Sequence, residues 1–246
     1  MLGGLLLVCG AASANSVIMA TGVDWSRGGS MVIREDDQDV QAYFAGVIFI
    51  SLTEGGHVYN RDTLCVDLFT DINLGQQYDS NLLRPDAVDA SKHLSRVSWL
   101  VENALLPGQD PQYGSVLQQA DWVFSAAQGA GIQFAIWDIV HDGGDGFSAG
   151  RVQAATNPTS ATDPTILTWA QRYEALSLDK SNNAAYVYNN VQMGNGLLAQ
   201  MLIGPQFGDN GPEPVPEPRT LAPAGVALIL LSLMLRRRLR STGRRG

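Results

Sequence analysis

The stretch that most limits this chain is its end, TLAPAGVALILLSLMLRRRLRSTGRRG, residues 220 to 246. Fifteen mostly apolar residues, Leu221 to Leu235, run directly into Arg236, Arg237 and Arg238. No soluble core takes up such a run with an arginine cluster fixed to it. As a helix it measures about 22 Å, short of a hydrocarbon layer of roughly 30 Å, and arginine snorkelling makes up part of the gap. The arginines set the expected orientation, with the tail in the cytoplasm and the bulk of the protein outside. A plain single-pass anchor satisfies all of this.

The other end agrees. MLGGLLLVCGAASANS opens on an apolar run from Leu2 to Ala11 and closes in Ala12-Ser13-Ala14. That is the pattern of a cleaved export signal, with Asn15 as the expected mature N-terminus, although the run has no basic residue before it. Cys9 leaves with the signal, and Val8 is bulkier than a lipoprotein signal prefers there. Seven of the 16 basic residues follow Pro218; the nine before it face 24 acidic ones, a net charge of −15. A domain so acidic holds neither nucleic acid nor an anionic membrane by electrostatics. Its charge reads most simply as solvation.

The C-terminal segments stand in a telling order: Val215-Pro216-Glu217-Pro218, a short apolar helix, then arginines. Together they resemble a PEP-CTERM sorting signal of Gram-negative bacteria that make extracellular polysaccharide. The resemblance implies an exosortase as partner, cleavage at Pro216, Glu217 and Pro218, and loss of the helix. It implies an exported protein, first an inner-membrane precursor and then a component of the cell surface or extracellular matrix. The expected division is residues 1–14 as signal, 15–207 as exported domain, 208–218 as Pro-rich linker and 219–246 as membrane helix with tail.

The exported domain has length enough for one sizeable core and shows no internal repeat. AYFAGVIFISL (42–52) and HVYNRDTLCVDLFT (57–70) read as a hairpin turning at Glu54-Gly55-Gly56. AAYVYNNVQ and LLAQMLIG read as late strands. Helical spacing marks SKHLSRVSWLVENAL, with Asp89 or Ser91 as N-cap. It continues through SVLQQADWVFSAAQ and IQFAIWDIV, weakened at Gly129-Ala130-Gly131 and stopped at Gly143-Gly144. PTILTWAQRYEALS is a further helix, after a surface loop over 155–164. The expected class is α+β: a β-sandwich or barrel with a central helical insertion, followed by the C-terminal transmembrane sorting helix.

Chemistry-bearing motifs are few. The chain has no G-x-S-x-G, C-x-x-C, H-E-x-x-H or phosphate loop. A cysteine hydrolase built on Cys65 needs a histidine base, and nothing in the spacing selects among His57, His93 and His141. HDGGDGF (141–147) offers Asp142 and Asp145 in a Gly-rich loop that could bind calcium, yet it lacks the full ligand set of an EF-hand. A helix stop followed by turns accounts for it, so no metal and no cofactor is expected.

Cys65 is the puzzle, since a single thiol in an exported protein has neither a reductant nor a disulfide partner. In GIQFAIWDIV (131–140), Ile132, Ala135, Ile136 and Ile139 form one helical stripe, with Gln133, Trp137 and His141 in a row beside it. Read from the residues alone, Cys65 is a buried apolar group, Gln133 a half-buried amide and Trp137 a core anchor.

Taken together, Leu64-Cys65-Val66-Asp67 and Ile132-Gln133-Phe134-Ala135-Ile136-Trp137 resemble the two signatures of the thioester domains of bacterial surface adhesins. The resemblance spans roughly 42–147. It implies that the Cys65 thiolate attacks the Gln133 carboxamide and expels ammonia, and that an amine or hydroxyl on a surface target later opens the thioester. Asp67, Trp137 and His141 are expected to support the pair. Such a protein is at most a single-turnover covalent binder, not an enzyme. Chemistry favours the pairing: a thiol is strongly nucleophilic near neutral pH, and contact compensates for a poor amide electrophile. The competing reading is a passive module of an exopolysaccharide matrix, with Trp99, Trp122, Trp137 and Trp169 stacking on sugars or, more simply, filling the core.

Overall fold

Two tight turns organise the first quarter of the chain. In the computed structural model, which describes residues 16–105 and 117–205, β1 (Ser16–Glu35) and β2 (Gln38–Glu54) are joined by Asp36 and Asp37. Both aspartates have positive φ, 46° and 67°, as a two-residue hairpin turn of matching twist requires. Gly55 and Gly56 repeat the device between β2 and β3 (His57–Cys65). That second hairpin is the one the sequence predicts.

β4 (Gln77–Leu83), β5 (Val152–Ala154), β6 (Tyr186–Gln192) and β7 (Leu202–Gly204) complete the sheet, in the order β2-β3-β7-β6-β4-β1-β5. Every pairing is antiparallel, and β1 also pairs with β2. The ladder therefore returns to its starting strand. Val17 bridges the seam, opposite Thr53 on one side and Asp79 on the other. Between β4 and β6 the chain forms α1 (Leu94–Ala104), α2 (Ala126–Asp142), β5 and α3 (Pro164–Ser177). The fold is α+β, mostly antiparallel sheet with a few helices, and one hydrophobic core joins sheet and helices.

Several local expectations change. β1 was not legible: its register shifts at Ala20/Gly22, Val23/Gly28 and Gly29/Met31, and such bulges break the two-residue alternation that announces a strand. Asp89 caps a short 3-10 turn by accepting from Ser91 N, whereas α1 begins at Leu94 after His93 in left-handed conformation. Residues 119–121 form only a 3-10 turn, and α2 starts after Ser125. Ser125 Oγ accepts from Gln128 N while Gln128 Oε1 accepts from the Ser125 hydroxyl, a capping arrangement. α2 then runs unbroken through Gly129-Ala130-Gly131. Those glycines are contact points: a Cβ on Gly129 would overlap the Arg27 carbonyl, and one on Gly131 would lie 2.5 Å from Trp169 Cβ. Tertiary contact with β1 and α3 outweighs a propensity cost of about 1 kcal/mol per glycine. Gly143, φ 76°, ends the helix as expected.

α2 is the centre of the molecule. Every residue from Gln128 to Val140 is buried, so the helix is covered on all sides, not amphipathic. The signal, the sorting motif and the transmembrane helix lie outside the described residues. No helix among the described residues is long and apolar enough to cross a membrane.

Candidate functional site: Cys65 and Gln133

β3 ends at Cys65, which pairs with Leu202 of β7, and the next amide, Val66 N, donates to Met201 O at 2.9 Å. The chain then turns. Asp67 Oδ1 accepts from Phe69 N at 2.8 Å, and Oδ2 accepts from the Thr70 hydroxyl at 2.6 Å. Asp67 O is held in turn by Gln200 Nε2 at 3.0 Å. Asp67 is thus the residue that shapes the strand exit.

Gln133 meets Cys65 head on. Cys65 N donates to Gln133 Oε1 at 2.8 Å, and Gln133 Nε2 donates to Cys65 O at 2.7 Å. Two hydrogen bonds in opposite senses fix the plane of the carboxamide against one residue, keeping its carbon beside the residue that bears the thiol. Gln133 is fully buried, and Cys65 is 3 % exposed. Sequence positions 68 apart are joined here by the packing of α2 on the sheet.

Burial pushes the Cys65 thiol well above the usual range, and the Asp67 and Asp71 carboxylates push it further. This revises the expectation that the thiol attacks unaided at neutral pH. In so dry a place the sulfur reaches the carboxamide carbon only if its proton leaves in the same event. The departing nitrogen is the nearest acceptor that the stoichiometry supplies. A thioester made here would form the Sγ–Cδ bond, break the Cδ–Nε2 bond, pass the thiol proton to that nitrogen and release ammonia, with no change of oxidation state.

The other two expected residues, Trp137 and His141, lie further along the helix. Trp137 is buried, with its Nε1 lacking a hydrogen-bond partner. His141 stands eight residues beyond Gln133, about 12 Å along the helix axis. Its ring meets Phe69 edge-on at 4.8 Å, and Arg151 covers the same phenylalanine at 3.9 Å. Burial, then the Lys92 and Arg151 charges, lower the His141 pKa, and Nε2 has no partner. The stack joins the residues after Cys65 to the end of α2. His57 lies on the exposed start of β3, and His93 on the turn before α1. Neither supplies a base to Cys65 by a hydrogen bond.

One buried group was missed. Asp138 is fully buried in the apolar run of α2, where burial, with the Glu174 charge adding, raises its carboxyl to about 7. An acid inside a helix that is apolar on every side was the available signal.

Two surface grooves, one lined by Arg34, Asp37, Phe147 and Gln171 and the other by Pro85, His93, Arg96 and Lys180, do not include the pair. Compared with known proteins, the chain matches no family model, no curated protein and no solved structure.

Proposed function

We propose that this is an exported, surface-sorted protein whose Cys65 and Gln133 join as an internal thioester, for covalent attachment to amine or hydroxyl groups in adhesion or a biofilm matrix. One observation carries the reading: the Gln133 carboxamide is held on Cys65 by two hydrogen bonds in a buried site. Positioning of this kind replaces the entropy cost of bringing nucleophile and electrophile together, and burial guards the product from hydrolysis. The closed antiparallel ladder fits the barrel form of the expected fold, with the helices as its insertion. Pro216, Glu217 and Pro218 serve as the exosortase motif, and Arg236, Arg237 and Arg238 hold the precursor in the inner membrane.

A second reading has its own support. The same two hydrogen bonds give each polar atom of Gln133 a partner, so the amide suffices as a structural pin in a passive, acidic matrix module. Intact mass of the protein recovered from the cell surface separates the two. The thioester predicts a deficit of one ammonia, abolished by Cys65→Ala and by Gln133→Ala, and replaced by an adduct after methylamine treatment. Full sequence mass in amine-free protein would exclude the bond. The same spectrum reads the tail: a mass that includes residues beyond Pro218 argues against sorting and for a plain anchor.

A further inference from the structure

The C-terminal end of α2 carries a second arrangement that the thioester reading does not use. A carboxylate oxygen from each of Asp138, Asp142 and Asp145 lies within 4.8 Å of those of the other two. Asp138 is fully buried, and its Oδ1 has no hydrogen-bond partner. Its Oδ2 receives only a long bond, 3.4 Å, from Gly146 N.

The loop after α2 is wound around these acids. Gly143 and Gly144 turn the chain with φ of 76° and 81°. Arg151 N and Val152 N then donate to Asp142 Oδ2 at 2.9 and 2.7 Å. A Cβ on Gly150, φ 79°, would lie 2.7 Å from Asp142 Cγ and 2.9 Å from Asp145 Oδ1. The backbone closes over the carboxylates where only glycine fits.

Neighbouring cations make their hydrogen bonds elsewhere, although Arg96 is near enough to feel the Asp138 charge. Arg96 donates through Nε to Ser177 Oγ, Nη1 to Gly143 O and Nη2 to Glu174 O. The Arg151 guanidinium pairs with Glu35 and Asp36 and lies over Phe69. Neither makes a side-chain hydrogen bond to the three acids. They sit, moreover, at the end of a helix where the peptide dipoles disfavour negative charge. Three acids gathered there, one fully buried with an oxygen that has no partner, are a costly arrangement without a counter-ion.

We infer that Asp138, Asp142 and Asp145 form a calcium site that pins the loop after α2. Calcium takes oxygen ligands at about 2.3–2.6 Å, so oxygens on opposite sides of one ion are separated by roughly 4.6–5.2 Å. Magnesium demands near-ideal octahedral geometry and gives up its waters reluctantly, whereas calcium accepts an irregular carboxylate set of this kind. With three side-chain ligands and water completing the sphere, the affinity belongs to the weak extracellular class, Kd of about 10⁻⁴–10⁻³ M. The site is independent of whether Cys65 and Gln133 are bonded.

Full-length protein in detergent, stripped with chelator, is titrated with calcium chloride and separately with magnesium chloride. Calorimetry and thermal unfolding are followed together. One saturable calcium site is expected, with an unfolding midpoint raised by several degrees when calcium far exceeds its Kd. Asp145→Asn removes an exposed ligand without touching the core and is expected to weaken calcium binding about 10–100-fold, the scale seen when metal sites lose supporting groups. Asp86→Asn, exposed and outside the cluster, is expected to bind as the unaltered protein does. Absence of saturable binding, equal affinity in Asp145→Asn, or magnesium binding as tightly as calcium would each overturn the assignment.

Discussion

The two halves of α2 bury polar groups in opposite ways. At Gln133 each polar atom of the side chain has a partner, both on Cys65. One to two turns on, Trp137 Nε1, Asp138 Oδ1 and His141 Nε2 are buried and have none. A satisfied buried amide fixes one arrangement of strand and helix. An unsatisfied buried acid leaves free energy to be recovered by a ligand or a proton. The same helix therefore serves as a rigid mount at one end and a receptive site at the other.

Isosteric substitutions sharpen the contrast. Gln133→Glu keeps the shape but places a carboxylate against the Cys65 carbonyl, removes the donor and buries an uncompensated charge. A loss of about 3–5 kcal/mol, or failure to fold, is expected and is read from urea denaturation. A loss below about 1 kcal/mol would show that the amide is no pin.

Asp138→Asn is the mirror test. Measured in chelator, it is expected to cost less than about 1.5 kcal/mol, because the aspartate gives up only one long hydrogen bond and an asparagine oxygen still accepts it. A cost equal to that of Gln133→Glu would erase the difference between the two halves.

The smallest effect is expected at Phe69, which is 43 % exposed and sits between His141 and Arg151. Phe69→Ala should lower stability by about 0.5–1 kcal/mol, the scale of one exposed cation–π contact. A shift in denaturation midpoint well beyond that would mean the stack supports the strand exit at Asp67 as well.

Much of the architecture was readable because it rests on local rules. The β2–β3 hairpin follows from β-branched runs around Gly55-Gly56, α3 from the segment PTILTWAQRYEALS, and the stop of α2 from Gly143. Where contacts between distant segments override local preference, the reading failed. β1 hides behind its bulges, and the glycines of α2 look like a break yet are where β1 and α3 press closest.

The candidate site divides along the same line. Sequence alone determined that Cys65 lies within an apolar strand and that Gln133 lies on a helix beside Trp137, because strand and helix periodicities are properties of neighbours; that the strand ends at Cys65 came from the structure. The sequence also determined the charge asymmetry between the residues before Pro218 and the arginine-rich ones after it, which is a count. Only the tertiary structure decided that the Gln133 amide meets Cys65, that Asp138 is dry, and that His141 stands at the far end of the helix against Phe69. Those facts depend on which faces of α2 the sheet and α3 cover, and they cover all of them. Burial on every side leaves no amphipathic stripe to announce it, so no spacing rule distinguishes the residue that is pinned from the one left unpartnered.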